Sequence, residues 1–157
     1  MTVGWVLAAI FAVLACTAAY YDVRFRTIPN RLNAGIALLG LAVTWYTAGS
    51  DGLLWAALHL ALALIIGIGV FALKMWGGGD AKFYAATAAW FSLREFPSLL
   101  ITISLAGLVL LIGWFATRKL WQGESAVGLK GQLPYGLAIA AGGIVEMTVR
   151  TMQQAGV

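Results

Sequence analysis

The sequence predicts an all-α, polytopic membrane protein, a compact bundle of about six transmembrane helices. Three observations support this fold class. Of the 157 residues, 62% are hydrophobic and only 10% are charged, whereas a soluble domain is nearer half apolar and a quarter charged. Long stretches of the chain contain no Asp, Glu, Lys or Arg. When the loops between these stretches are placed on alternate sides of a membrane, most basic residues fall on one side.

The stretches without charged residues locate the helices. They cover residues 1–21, 32–50, 52–73, 83–93, 96–117 and 131–145. One crossing needs about 20 residues, so the predicted helices extend over 3–21, 32–49, 53–75, 80–93, 97–118 and 133–150. The fourth stretch gives only about 16 Å of helix, so it must extend through Asp80 and Lys82 or be short and partly shielded. Because little length is left for loops, residues 1–157 are expected to form a single transmembrane domain.

The distribution of Lys and Arg predicts the orientation. One side collects eight of the ten basic residues, namely Arg24, Arg26, Arg31, Lys74, Lys82, Arg118, Lys119 and Lys130. The other side collects Arg94 and Arg150. Loops rich in Lys and Arg stay in the cytoplasm, so the first side is predicted to be cytoplasmic and both termini external. The net charge of +4 is therefore interpreted as topology, and no nucleic-acid partner is expected.

Few side chains are available for other kinds of catalysis. The chain has one His, His59, and one Cys, Cys16, each within an apolar stretch. We expect Cys16 to be a small buried residue and His59 to hydrogen-bond to a neighbouring helix. A Ser/His/Asp triad, a Cys/His pair and a zinc site are poorly supported, so no metal and no other cofactor is expected. A serine with a lysine partner stays open, although Ser92, Ser98 and Ser104 are predicted to lie away from the lysines.

Two aspartates fall at the predicted cytoplasmic edge. Asp22 closes helix 1, and Asp80 opens helix 4. Two carboxyl groups brought together share a proton, because like charges in contact raise the pKa of one of them. One carboxyl can then accept a proton from water while the other donates one to the substrate, as in aspartic proteases. This chemistry needs neither a metal nor a nucleophilic side chain.

Each aspartate also has a purely structural interpretation. Asp22 can form an ion pair with Arg24 or Arg26 at a helix end. Three glycines precede Asp80, so this run also fits a glycine turn followed by an aspartate that caps helix 4. Asn30, which follows a proline that ends any helix before it, is positioned to cap helix 2.

The residues around the two aspartates form two motifs. Asp22, Arg24 or Arg26, and Ile28-Pro29-Asn30 are followed by Gly77-x-Gly79-Asp80, with Lys82 two residues later. This pattern resembles that of the type IV prepilin peptidases, the GxGD class of intramembrane aspartyl proteases. Leu133-Pro134-Tyr135-Gly136 is similar to the segment that opens the last helix of that family. The resemblance runs from about residue 18 to 143, and the combined motifs are far more specific than GxGD alone.

The resemblance implies a function, a substrate and a location. Asp22 and Asp80 would be the catalytic pair, and residues that bind substrate or shape the site would be Arg24, Pro29, Asn30, Gly77, Gly78, Gly79 and Lys82. The substrate would be a pilin-like precursor, cut after a glycine just before its hydrophobic segment. Cleavage would occur at the cytoplasmic face of the bacterial inner membrane, and partners would include the lipid bilayer and pilus or secretion assembly proteins.

One departure separates this chain from the larger members of the family. Those members carry a cytoplasmic region with paired cysteines between the first two spans, associated with methylation of the new N terminus. Here the first predicted helix runs almost directly into Asp22, and Cys16 is the one cysteine. The chain therefore resembles the short, peptidase-only branch of tight-adherence (Flp) pilus systems, and methyltransferase activity is not expected.

Two other functions stay open from the sequence. In a small ion- or proton-coupled transporter or channel subunit, the aspartates would lie along an ion pathway, but a pathway needs ionisable groups at several depths. Here only His59 is predicted in mid-membrane. The second alternative is a non-catalytic pilus assembly factor, which the presence of both aspartates disfavours.

Overall fold

The computed structural model describes residues 2–73, 77–117 and 135–156, and this part of the chain is helical apart from short connections. The five helices are α1 (Thr2–Phe25), α2 (Asn30–Ala72), α3 (Gly78–Ala88), α4 (Phe96–Thr117) and α5 (Tyr135–Ala155). A 3-10 turn, Leu93–Glu95, precedes α4. The all-α class predicted from the sequence is therefore confirmed.

Three helical segments are long and apolar enough to cross a membrane, as judged by length and composition. They are Val3–Phe25, Asn30–Ala72 and Leu93–Ala116. Large apolar side chains such as Val13, Ile65 and Val109 are about two-thirds exposed on the outer surface. Such exposure is costly in water but is ordinary against lipid, so the chain is a membrane protein.

The long helix α2 consists of two arms joined at a kink. Gly49 has φ 66° and ψ −159°, a backbone conformation that residues with side chains rarely adopt. The first arm is residues 30–48 and the second arm is residues 50–72. The sequence predicts two helices that meet near this point, but it predicts a short loop between them. A single glycine makes the turn instead, so no loop is needed.

α3 lies in the middle of the bundle. Every residue from Ala81 to Phe91 is buried except Lys82. On the first arm of α2, the carbonyl oxygen of Ile36 accepts a hydrogen bond of 2.9 Å from Trp90 Nε1, while the second arm, α1 and α5 also contact α3. α3 therefore begins before Asp80 and is also short and shielded by its neighbours.

Several predicted boundaries and environments differ from the structure. α1 continues through Asp22 to Phe25, where Arg26 ends it with a left-handed backbone (φ 54°) and donates its N–H to the Asp22 carbonyl. Cys16 is exposed on α1, so its predicted burial is wrong; it lies on the outer face of the helix. The predictions for six residues fall outside the described part of the chain: Lys74, Arg118, Lys119, Lys130, Leu133 and Pro134.

His59 has the structural role that the sequence predicts. It is fully buried on the second arm of α2, and its Nδ1 lies 3.1 Å from the carbonyl oxygen of Phe91, which follows α3. Its ring also packs edge-on against Phe96. His59 therefore joins the second arm to the connection between α3 and α4.

Candidate active site

Asp22 is held at the meeting point of α1 and α5. It lies in the last turn of α1 and is only 8% exposed. Its Oδ2 accepts a hydrogen bond of 2.9 Å from the backbone N–H of Gly136, in the first turn of α5. The first N–H groups of a helix have no partner within the helix and carry partial positive charge, so they favour a carboxylate.

Gly136 is required for this close approach. A Cβ built at this position would lie 2.7 Å from Asp22 Oδ2 and 2.9 Å from Asp22 Cγ. Both distances are too short for non-bonded heavy atoms, so any larger residue would push the carboxyl group away from the N–H. The sequence marked Gly136 only as part of a family-like segment and gave no role for it.

Asp80 is the third residue of α3, not its cap. The helix begins at Gly78, and Gly77 occupies the cap position without a side-chain cap. The Asp80 carboxyl group turns back over Gly77, whose N–H interacts with it, and a Cβ at Gly77 would lie 3.0 Å from Asp80 Oδ2. The interpretation of Asp80 as an N-cap is therefore wrong, since its side chain reaches the turn that precedes the helix.

The structure brings the two aspartates together. Asp80 lies outside the three candidate spans. Its pKa is raised from 3.8 to about 6, mainly by burial and secondly by the negative charge of Asp22. The N–H of Gly77, the charge of Arg26 and the N–H of Gly136 oppose this increase. The same Gly136 N–H thus acts on both carboxyl groups. With this raised pKa, Asp80 therefore keeps its proton to a higher pH, about 6, than an ordinary aspartate does.

The basic residues near the pair are arranged differently from the prediction. In the described part of the chain, the one ion pair within 4.0 Å joins Arg150 to Glu95, so Asp22 has none with Arg24 or Arg26. Arg24 lies over the ring of Phe25, 5.8 Å from its centroid. Arg26, which ends α1 with a left-handed backbone, is the basic residue whose charge acts on Asp80.

The two sequence motifs contact each other through Lys82 and Asn30. Lys82 Nζ donates a hydrogen bond of 3.0 Å to Asn30 Oδ1, which joins the start of α3 to the start of α2. Asn30 does not cap α2; Pro29 occupies the cap position and no side chain caps the helix. The backbone N of Ile28 lies 3.7 Å from a Cβ built at Gly79, so the segment before Pro29 packs beside the glycines.

The chemistry available at this site is proton transfer between two carboxyl groups. Within residues 2–73, 77–117 and 135–156, no three His, Cys, Asp or Glu side chains come together in a group that could hold a metal ion. Two of the described serines make contacts away from the aspartates. Ser92 caps the turn before α4, and Ser98 donates a hydrogen bond to Glu146. The fold and the site thus define a helical membrane protein with a paired-aspartate site.

Comparison with known proteins identifies the family. Residues 9–112 match the model of the Type IV leader peptidase family; this is more than half of the chain and includes both aspartates. The chain belongs to this family. Within the described residues, the contact from Gly136 comes from a helix beyond the matched segment.

Two curated proteins, both named prepilin peptidase EppA, are similar to the chain. The protein from Methanothermobacter thermautotrophicus is 33% identical over 106 residues, which cover 64% of this chain and 27% of that protein. The protein from Methanococcus maripaludis is 31% identical over 80 residues, which cover 51% of this chain and 21% of that protein. The matches therefore span about a quarter of the length of these relatives. No solved structure matches the chain.

Proposed function

We propose that the chain is a prepilin leader peptidase, an aspartyl endopeptidase that cuts after a glycine at the cytoplasmic-side end of a pilin-like leader. The observation that carries this proposal is the placement of Asp22 and Asp80, 58 residues apart in sequence, around the N–H of Gly136. Membership of the Type IV leader peptidase family and the names of the two relatives support the substrate class.

In the proposed reaction, the two aspartates have different roles. Asp22 accepts a proton from water as the water oxygen bonds to the carbonyl carbon of the substrate, and Asp80 donates its proton to the carbonyl oxygen. The C–N bond then breaks as Asp22 passes its proton to the leaving nitrogen, and the hydroxyl proton returns to Asp80. The raised pKa of Asp80 supports its role as the acid. The hydrogen bond from Gly136 keeps the Asp22 carboxyl group in position.

The proposed topology has six crossings, with the aspartates at the cytoplasmic face of the bacterial inner membrane and both termini external. α2 is about 65 Å long at 1.5 Å per residue, enough for its two arms to cross a hydrocarbon core of about 30 Å separately. Four of the basic residues predicted to be cytoplasmic lie within nine residues of Asp22 or Asp80 in the sequence, namely Arg24, Arg26, Arg31 and Lys82. The other four proposed crossings are α1, α3, α4 and α5. Asp80 lies in the first turn of α3, at its cytoplasmic end. Reporter fusions at Arg26 should read cytoplasmic and fusions at Gly49 external; the reverse result would exclude this topology.

The peptidase proposal is tested by leader cleavage. The purified chain, or cells that express it, is given a pilin-like precursor, and removal of the leader is followed by gel shift. Asp22→Asn and Asp80→Asn should each reduce the rate by about 10²–10⁴-fold, because Asn keeps the shape of Asp but cannot exchange the proton.

The double variant and one control make this test specific. Combining Asp22→Asn with Asp80→Asn should lower the rate hardly further, because catalytic groups that act as a unit are not additive. Asp51→Asn, at an exposed aspartate in the second arm of α2, should cleave normally. Cleavage at the wild-type rate by either single variant of the pair would exclude the mechanism.

The proposal includes pilus assembly proteins of the tight-adherence type as partners and no methylation.

A further inference from the structure

An apolar groove of about 360 Å³ lies between α4 and α5. It follows α4 over residues 100–111, a length of about 16 Å. One residue of α3, Tyr84, and the start of α5 complete its lining. We call this surface the α4–α5 groove.

One end of the α4–α5 groove opens beside the two aspartates. Tyr135 lines the groove and precedes Gly136, whose N–H binds Asp22. Tyr84 also lines it and lies one helical turn after Asp80. A chain segment that lies in the groove can therefore continue directly to the candidate active site.

The groove is open to the membrane along its length. Leu108 is 50% exposed and Tyr135 is 46% exposed. Between the larger side chains, Ser104 and Gly107 leave room; a Cβ at Gly107 would meet only Ala138, at 3.7 Å. Small residues of this kind let a second helix approach closely, which is the main source of helix association in lipid.

The surface of α1 provides a useful comparison. It also has a hollow within reach of the aspartates, ending at Tyr20, but all of its lining residues come from α1 itself. A surface made by one helix has no second wall. The α4–α5 groove has walls from two helices and is therefore better shaped to hold a helix.

We propose that the α4–α5 groove binds the apolar helix of the precursor substrate that follows the cleaved bond. This inference rests on the proposed function. The bond must reach Asp22 and Asp80 while the apolar residues beyond it stay in the bilayer, so the substrate helix has to leave the site along a lipid-exposed surface that begins there. The α4–α5 groove begins there and runs alongside α4.

Site-specific cross-linking tests where the substrate helix lies. A photoreactive residue is placed at Ser104 or Leu108, which line the groove, or at Leu105 or Val109, which are exposed on α4 outside it. The chain also carries Asp80→Asn, so that the precursor is bound but not cut. We expect cross-links to the apolar segment of the precursor from the two groove positions. Cross-links from the control positions alone, or from the groove to lipid or a second copy of the chain alone, would overturn the inference.

Filling the groove gives a second test with an activity readout. Ser104→Trp should lower the cleavage efficiency of the full precursor about tenfold, whereas Leu105→Trp should leave it unchanged. A soluble leader peptide that ends before the apolar segment should be cut equally by both variants and by the wild type. Equal cleavage of the full precursor by both Trp variants would exclude the groove while leaving the peptidase assignment intact. Failure of the wild type to cut either substrate would instead remove the proposed function, and the inference with it.

Discussion

The two ends of the helical bundle differ in how their charged side chains are paired. At the end formed by Arg150, Glu95, Glu146 and Ser98, called here the arginine end, opposite charges are combined. Arg150 Nη1 lies 3.7 Å from Glu95 Oε2 and donates a hydrogen bond of 2.8 Å to the Trp90 carbonyl oxygen. Glu146 accepts a hydrogen bond of 2.6 Å from Ser98 Oγ. These contacts join α4 and α5 to each other and to Trp90, which follows α3.

The end that holds Asp22 and Asp80, called here the aspartate end, brings like charges together. Burial and the charge of Asp22 both oppose ionisation of Asp80. Such an arrangement lowers stability, since neither group gains an opposite charge within ion-pair distance. The arginine end is therefore explained by stability, whereas the aspartate end fits the proposed reaction, which needs a shared proton.

Among substitutions outside the aspartate pair, the largest expected effect comes from Gly136. Gly136→Ala places a Cβ against Asp22 and should lower leader cleavage by about 10²-fold, because catalytic groups displaced by about 1 Å lose that much activity. The matched control is Gly35→Ala, where nothing lies within 4 Å of the added Cβ. The measurement is the initial cleavage rate per folded molecule. A wild-type rate for Gly136→Ala would show that the contact is not needed.

At the arginine end, substitution should change stability and not chemistry. Arg150→Met removes a charged hydrogen bond to Trp90 and the charge beside Glu95, so the free energy of unfolding should fall by about 1–3 kcal/mol. Denaturation in detergent micelles measures this value. Arg94→Met, at an exposed arginine stacked on Trp55, should cost less than about 1 kcal/mol. If Arg150→Met lowered cleavage per folded molecule, the contrast between the two ends would be wrong.

The pH dependence of stability sharpens the comparison at Asp80. Because folding raises the pKa of Asp80 to about 6, the folded state binds this proton more tightly than the unfolded state. The stability from this group is therefore full below pH 4 and is lost as pH rises through 6. Asp80→Asn, which is never charged, should have a Tm about 2–4 °C above the wild type at pH 7.5 and equal to it at pH 4. Asp51→Asn is the control, and an equal increase in that variant would contradict the explanation.

The smallest expected effect concerns Lys82 and Asn30. Their hydrogen bond is exposed, so a double-mutant cycle with Lys82→Met and Asn30→Ala should give a coupling free energy of about 0.5–1 kcal/mol. The control cycle pairs Lys82→Met with Arg31→Ala, at the exposed neighbour of Asn30, and should be additive. Additivity in both cycles would mean that the contact does not hold the two motifs together.

The membrane class of the protein and the two candidate aspartates can be predicted from the sequence. Long charge-free stretches specify apolar helices whatever their neighbours are, and the break near Gly49 follows from the charge of Asp51, which interrupts the apolar run. Asp22 and Asp80 are evident because charged residues beside apolar stretches are rare and expensive. These properties depend on composition and on residues close together in the chain.

The surroundings of the aspartates were decided by tertiary structure. The structural alternatives considered from the sequence gave Asp22, Asp80 and Asn30 local roles only, as ion pairs and helix caps. Instead, Asp22 accepts a hydrogen bond from the N–H of Gly136, 114 residues away. Asn30 accepts one from Lys82, 52 residues away. The pattern of apolar residues does not predict which helix ends contact each other, because every lipid-facing surface is similarly apolar. Close packing of helix ends therefore determined these contacts, and it is the packing that brings two like charges to one N–H group.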